Sequence, residues 1–126
     1  MYISNKLQQE LRAHVADHID DLIDTEIDDL HHCLFNQDHY LIGYYQCEQW
    51  LKKHEISAFE AIEYVQEYER ETFGETSTEI NSEAIVNMLV YIVSENVLLN
   101  CLHDLDITEG LLTRDQAEAI KGYLAE

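Results

Sequence analysis

The chain has 126 residues, with 26 Asp or Glu against 7 Lys or Arg and a formal net charge of −19. Hydrophobic residues make up 46% of it, which excludes a disordered acidic tail. The charge repels DNA, RNA and anionic membrane at long range, and seven scattered cations (Lys6, Arg12, Lys52, Lys53, Arg70, Arg114, Lys121) build no evident pocket for a phosphate substrate.

A chain this long is expected to form one domain that buries roughly 65–70% of its unfolded surface. Proline is absent and glycines number four, so helices meet few breakers. Apolar positions recur at three and four, and no hairpin signal appears. The expectation is an all-α, single-domain bundle of about five helices.

The first helix is expected over about 4–34, with Leu7, Leu11, Val15, Ile19, Leu22, Ile23, Ile27, Leu30 and Leu34 as its buried stripe. Glu26 and Arg12 fall within that apolar arc, where they must pair, snorkel or meet a partner. A second helix over 37–54 is capped by Asn36, with Phe35 and Tyr40 as a hydrophobic staple. It carries the aromatic cluster Tyr40, Tyr44, Tyr45 and Trp50. Ser57 and Glu60 form a capping box for a third helix, 58–73, flanked by Ile56 and Ala61, and Gly74 is placed to end it. The fourth helix, 82–102, is apolar on most faces, which marks a central element rather than a membrane span. Thr113 and Gln116 form a capping box that opens a last helix over 114–125.

The charge is unevenly distributed. Residues 17–38 carry eight acids and no base, residues 57–83 carry eight acids and one base, and residues 39–56 balance to zero. On a helical wheel Asp17, Asp20, Asp21, Asp24 and Asp28 share one arc opposite the apolar stripe, extending about 16 Å along the axis. Glu60, Glu63, Glu67 and Glu71 form a second row on the third helix. Such spacing approaches that of strand phosphates, about 3.4 Å per charge. Like charges at i, i+4 each cost a helix a few tenths of a kcal/mol, so folding alone does not ask for these rows. Solvation of an ordinary charged surface is the plain alternative.

Metal and catalytic patterns are weaker. His14 and His18, flanked by Glu10, Asp17 and Asp21, could offer two ligands to Zn²⁺, but no third is fixed by spacing. Asp28-x-x-His31 and Asp29-x-x-His32 overlap on one segment, unlike the paired motifs of di-iron bundles. Glu26-x-x-Asp29 and Glu60-x-x-Glu63 resemble the paired acids of all-α nucleotide pyrophosphatases in reversed order, without a basic phosphate clamp. No Gly-rich phosphate loop, Asp-rich calcium loop or nucleophile elbow is present. The chain is therefore expected to be no enzyme and to hold no cofactor or metal. Cys33, Cys47 and Cys101 are odd in number and widely spaced, as expected of reduced thiols in a cytoplasmic protein. The N-terminal residues show no signal-peptide pattern.

The stretch from Phe35 to Leu51, with Ala58-Phe59-Glu60-Ala61-Ile62 and Asn87-Met88-Leu89-Val90-Tyr91-Ile92, resembles small acidic uncharacterised proteins of tailed phages over about residues 35–95. No catalytic residues follow from that resemblance. What it implies is a context in which small acidic proteins inhibit nucleic-acid enzymes in the host cytoplasm. The sequence thus points to a binding protein whose nine row carboxylates imitate phosphates and occlude the basic groove of a host nucleic-acid-binding protein. It would bind neither nucleic acid nor membrane directly. Two alternatives stay open: a structural or adaptor protein that forms a homodimer or other self-assembly through its aromatic face, and a metal-dependent nucleotide hydrolase.

Overall fold

A computed structural model describes residues 3–36 and 46–126, for residues 35 and 36 by their backbone alone. The fold is all-α, and the described residues contain no strand. Six α-helices follow in order: α1 (Asn5–His18), α2 (Leu30–Asn36), α3 (Cys47–Lys53), α4 (Ala58–Phe73), α5 (Ser82–Asp104) and α6 (Arg114–Leu124), with 3-10 turns at Ile19–Leu22 and Ile27–Asp29. The chain divides into two compact units, Met1–Leu7 with Leu41–Val93, and Gln8–Tyr40 with Ser94–Glu126.

In the first unit most local signals act as expected, although the expected Ser57–Glu60 capping box forms only its Ser57 half. The Ser57 hydroxyl accepts the Glu60 N–H at 3.1 Å and donates to the Glu60 carboxylate at 3.0 Å, which starts α4. Ile56 and Ala61, the expected staple pair, are both buried. Gly74 takes the left-handed conformation (φ 82°) and its N–H reaches the Arg70 carbonyl at 3.0 Å, which ends the helix. Glycine suits this position because it carries no Cβ to clash at positive φ. Asn81 then caps α5, its side-chain oxygen accepting the Ala84 N–H at 2.9 Å. By length and composition α5 is apolar enough to cross a membrane. In this fold its Ile85, Val86, Leu89, Val90, Ile92 and Val93 are buried within the protein. Of the expected second helix, α3 accounts for Cys47–Lys53, and Trp50 packs edge-on against the buried His54 at 4.7 Å between ring centroids. Asn36, expected to cap that helix, is instead the last residue of α2, and Tyr40, Tyr44 and Tyr45 lie outside the described residues.

The second unit corrects the sequence reading. The helix expected over 4–34 is broken into α1, two 3-10 turns and α2. Asp24 lies in the left-handed region (φ 73°), a conformation that Asp tolerates better than most residues. The backbone groups released from the helix find partners on a distant loop. Asp24 N–H donates to Leu112 O at 2.8 Å, Ile27 N–H to Gly110 O at 2.9 Å, and Leu112 N–H to Thr25 O at 2.8 Å. Glu26 and Leu111 form an isolated antiparallel bridge. Each backbone bond made between the loops replaces one the helix would have made.

Burial nevertheless follows the expected stripe. Val15, Ile19, Leu22, Ile27, Leu30 and Leu34 join Leu98, Cys101, Leu102, Leu112, Ile120 and Leu124 in one core cluster. The Thr113–Gln116 capping box closes with both bonds, at 3.0 and 3.1 Å, and starts α6. Arg12, out of place on an apolar arc, serves the other end of α6. Its Nη2 donates to the Tyr123 carbonyl at 2.7 Å and its Nε to the Leu124 carbonyl at 3.2 Å. The guanidinium also stands 5.4 Å from the centroid of the Tyr123 ring. A cation on the last carbonyls of a helix satisfies acceptors that have no intrahelical donor.

Candidate functional site

The glutamate row is built on one continuous element. Glu60, Glu63, Glu67 and Glu71 all lie on α4 and are all exposed, while Ala61, Val65 and Glu69 on its other side are buried. At 1.5 Å per residue the row is about 17 Å long.

Glu69 is the buried acid of α4. It is 1% exposed, and its carboxylate accepts the Ser77 hydroxyl at 2.6 Å, the Ser77 N–H at 2.9 Å and the Thr78 N–H at 3.1 Å. Burial alone would raise the carboxyl pKa, but these hydrogen bonds from Ser77 and Thr78 outweigh it and hold the group below the usual range. The 75–81 loop is thereby tied back onto α4. Its position in the buried i, i+4 set with Ala61 and Val65 was the available sequence signal.

The aspartate set has a different geometry from the straight row expected. Asp17 lies on α1, Asp20 and Asp21 on the first 3-10 turn, Asp24 in the loop and Asp28 on the second 3-10 turn. All five remain exposed, but one helix face does not hold them. Asp20 accepts from Lys121 at 2.9 Å, and Lys121 also meets Glu118 at 2.8 Å. Hydrogen bonds to Glu118 and Asp20 raise the Lys121 pKa above its ordinary value.

His14 and His18 are neighbours on α1, with ring centroids 4.8 Å apart and edge-to-face. Among the described residues no group of three His, Cys, Asp or Glu is placed to hold a metal ion. The Glu26 and Glu60 motifs fall in different compact units.

One constellation escaped the sequence reading. His31 on α2 is 9% exposed, with Nε2 3.3 Å from the Ser94 hydroxyl and Nδ1 3.6 Å from the Glu95 carboxylate. The order Ser–His–carboxylate is that of a hydrolytic triad. Ser94, however, is fully buried in the middle of α5, so its hydroxyl meets no solvent-borne carbonyl. The Ser94 hydroxyl orients the imidazole instead. That ring forms part of the wall of an open groove of about 330 Å³ lined by Ile27, Asp28, Leu98, Leu99, Leu102 and Ile107. A second depression of about 320 Å³ shares Ile27 and Asp28 and extends to Glu26 and Leu111. No local periodicity announces either, because the interloop bonds assemble them.

The three thiols differ in access. Cys33 is partly exposed, and Cys47 and Cys101 are buried. Burial, with Glu83 adding to it, raises the Cys47 pKa. Burial pushes the Cys101 thiol up to about 11, with Arg12 opposing and Asp104 reinforcing the shift.

Comparison of the chain with protein-family models, with curated proteins and with solved structures gives no match.

Proposed function

We propose that this chain is a protein-binding inhibitor that presents carboxylates in place of nucleic-acid phosphates and occludes the basic groove of a nucleic-acid-binding protein. The observation that carries this reading is the α4 row: Glu60, Glu63, Glu67 and Glu71 exposed on one unbroken helix. Held on a folded helix, these groups lose little further backbone freedom when Arg and Lys close on them. The aspartates from Asp17 to Asp28 add a second, irregular acidic surface.

The test is capture of partners from lysate by the immobilised chain at low and high salt, with the captured proteins identified by mass. Recovery of nucleic-acid-binding proteins at low salt, and their loss in a variant with all four row glutamates changed to Gln, is the expected result. If the Gln variant captures the same proteins, the row is a solvated helix face and the reading fails.

A further inference from the structure

We propose that His31 is a proton-operated clasp between α2 and α5, gripping Glu95 when its imidazole is protonated and releasing it when the ring is neutral. His31 belongs to α2, and Ser94 and Glu95 belong to α5; all three lie in one compact unit. The ring Nε2 is 3.3 Å from the hydroxyl of Ser94, which is fully buried. The ring Nδ1 is 3.6 Å from the Glu95 carboxylate, too far for a hydrogen bond yet close enough for an ion pair. A neutral ring carries one N–H, whereas the imidazolium carries two. Here an oxygen acceptor stands on each side of it. A serine within a helix can give its own proton to the carbonyl one turn earlier, which leaves the hydroxyl oxygen able to accept.

The surroundings decide whether the proton stays. Burial opposes the charge, since His31 is 9% exposed. The nearby carboxylates favour it. The Glu95 side chain is 25% exposed, so water screens it only in part. Asp28, from the 3-10 turn at Ile27–Asp29, lines the same groove as His31. His103 of α5 lines it too, but is exposed to water, as is His32 beside it on α2; each opposes a charge on His31 only when itself protonated. The unit as a whole (Gln8–Tyr40 and Ser94–Glu126) has sixteen Asp or Glu and three Lys or Arg, a net charge of −13. Two of the three cations, Arg12 and Lys121, are engaged at α6. A clasp of this kind stabilises the fold fully below the ordinary histidine value, about 6.5. The gain is lost as pH rises through the higher value of the folded chain. None of these groups belongs to the α4 glutamate row, so either reading can fail alone.

The test is an NMR titration of the His31 ring from about pH 5 to 9 in the native chain and in Glu95→Gln, which keeps the size of a partly exposed side chain and removes its charge. The midpoint is expected to fall by about one pH unit in the variant. Hydrogen exchange of the α2 amides, corrected for intrinsic rates, reads the grip itself. The ratio of protection at pH 6 to that at pH 8 is expected to be about three to ten times larger in the native chain than in Glu95→Gln. A midpoint that Glu95→Gln leaves unchanged or raises, a ring that does not titrate across this range, or equal protection ratios in the two proteins overturns the inference and leaves His31 a buried histidine without a switching role.

Discussion

Glu69 and Ser77 are joined twice, through the serine hydroxyl at 2.6 Å and its N–H at 2.9 Å, by a carboxylate removed from water. This pair separates the one buried acid of α4 from the four exposed on its outer face. Removing the carboxylate leaves the Ser77 and Thr78 donors to find other partners. Glu69→Ala should therefore cost about 2–3 kcal/mol, read as a lower urea midpoint. Changing any one exposed row glutamate to Gln should move that midpoint little.

The same pair gives a pH dependence. The Glu69 carboxyl has a lower pKa in the folded chain than in the unfolded one. Its contribution is complete above the ordinary glutamate value, about 4.3, and is lost as pH falls through the lowered folded value. Acid titration of urea stability should show a loss in that window that is absent from Glu69→Gln. A loss of equal size in the variant would assign the acid sensitivity to other carboxylates.

Arg12 should behave as a helix cap rather than a surface charge. Arg12→Ala removes the guanidinium donors from the Tyr123 and Leu124 carbonyls, while the Tyr123 carbonyl keeps the Glu126 N–H at 3.3 Å, and a loss of about 1–2 kcal/mol is expected. Arg12→Lys should recover part of it, since an ammonium reaches one carbonyl but cannot reproduce the fork. Equal stability of the three proteins in denaturant titration would contradict the assignment.

Thiol reactivity should rank the cysteines by access. In the native chain Cys33 should react first with a thiol-specific disulfide reagent near pH 8. Cys101, buried and with its pKa pushed up to about 11, should react only as the chain unfolds, and Cys47 should resemble it. Mass spectrometry of peptides after brief labelling distinguishes the three. Early labelling of Cys101 would contradict its placement.

The core was largely legible in the sequence, and the break in the first helix was not. Val15, Ile19, Leu22, Ile27, Leu30 and Leu34 keep a three–four apolar rhythm through the 3-10 turns, so their burial follows from the pattern although the continuous helix does not. Nothing local to Asp24 or Thr25 announces a loop, since neither Gly nor Pro is present there. The bonds that stabilise it come from Gly110 and Leu112, far away in sequence. The aspartate row failed for that reason, whereas the glutamate row rests on a helix bounded by signals within its own sequence, Ser57 and Gly74. Asp24 offers a direct check. In the loop, Asp24→Gly should be neutral or stabilising by up to about 1 kcal/mol and Asp24→Val destabilising by about 1–2 kcal/mol. In a continuous helix Gly would be the worse replacement.

The central claim is that the carboxylates stand in for phosphates. Its most direct measurement is elution from the immobilised chain by competing duplex DNA at constant ionic strength. Proteins retained at low salt should be released by the duplex, because one basic groove cannot hold both ligands. They should also be lost from a column carrying Gln at positions 60, 63, 67 and 71. Proteins that stay bound in excess duplex, or that bind the Gln column equally well, would contradict the account.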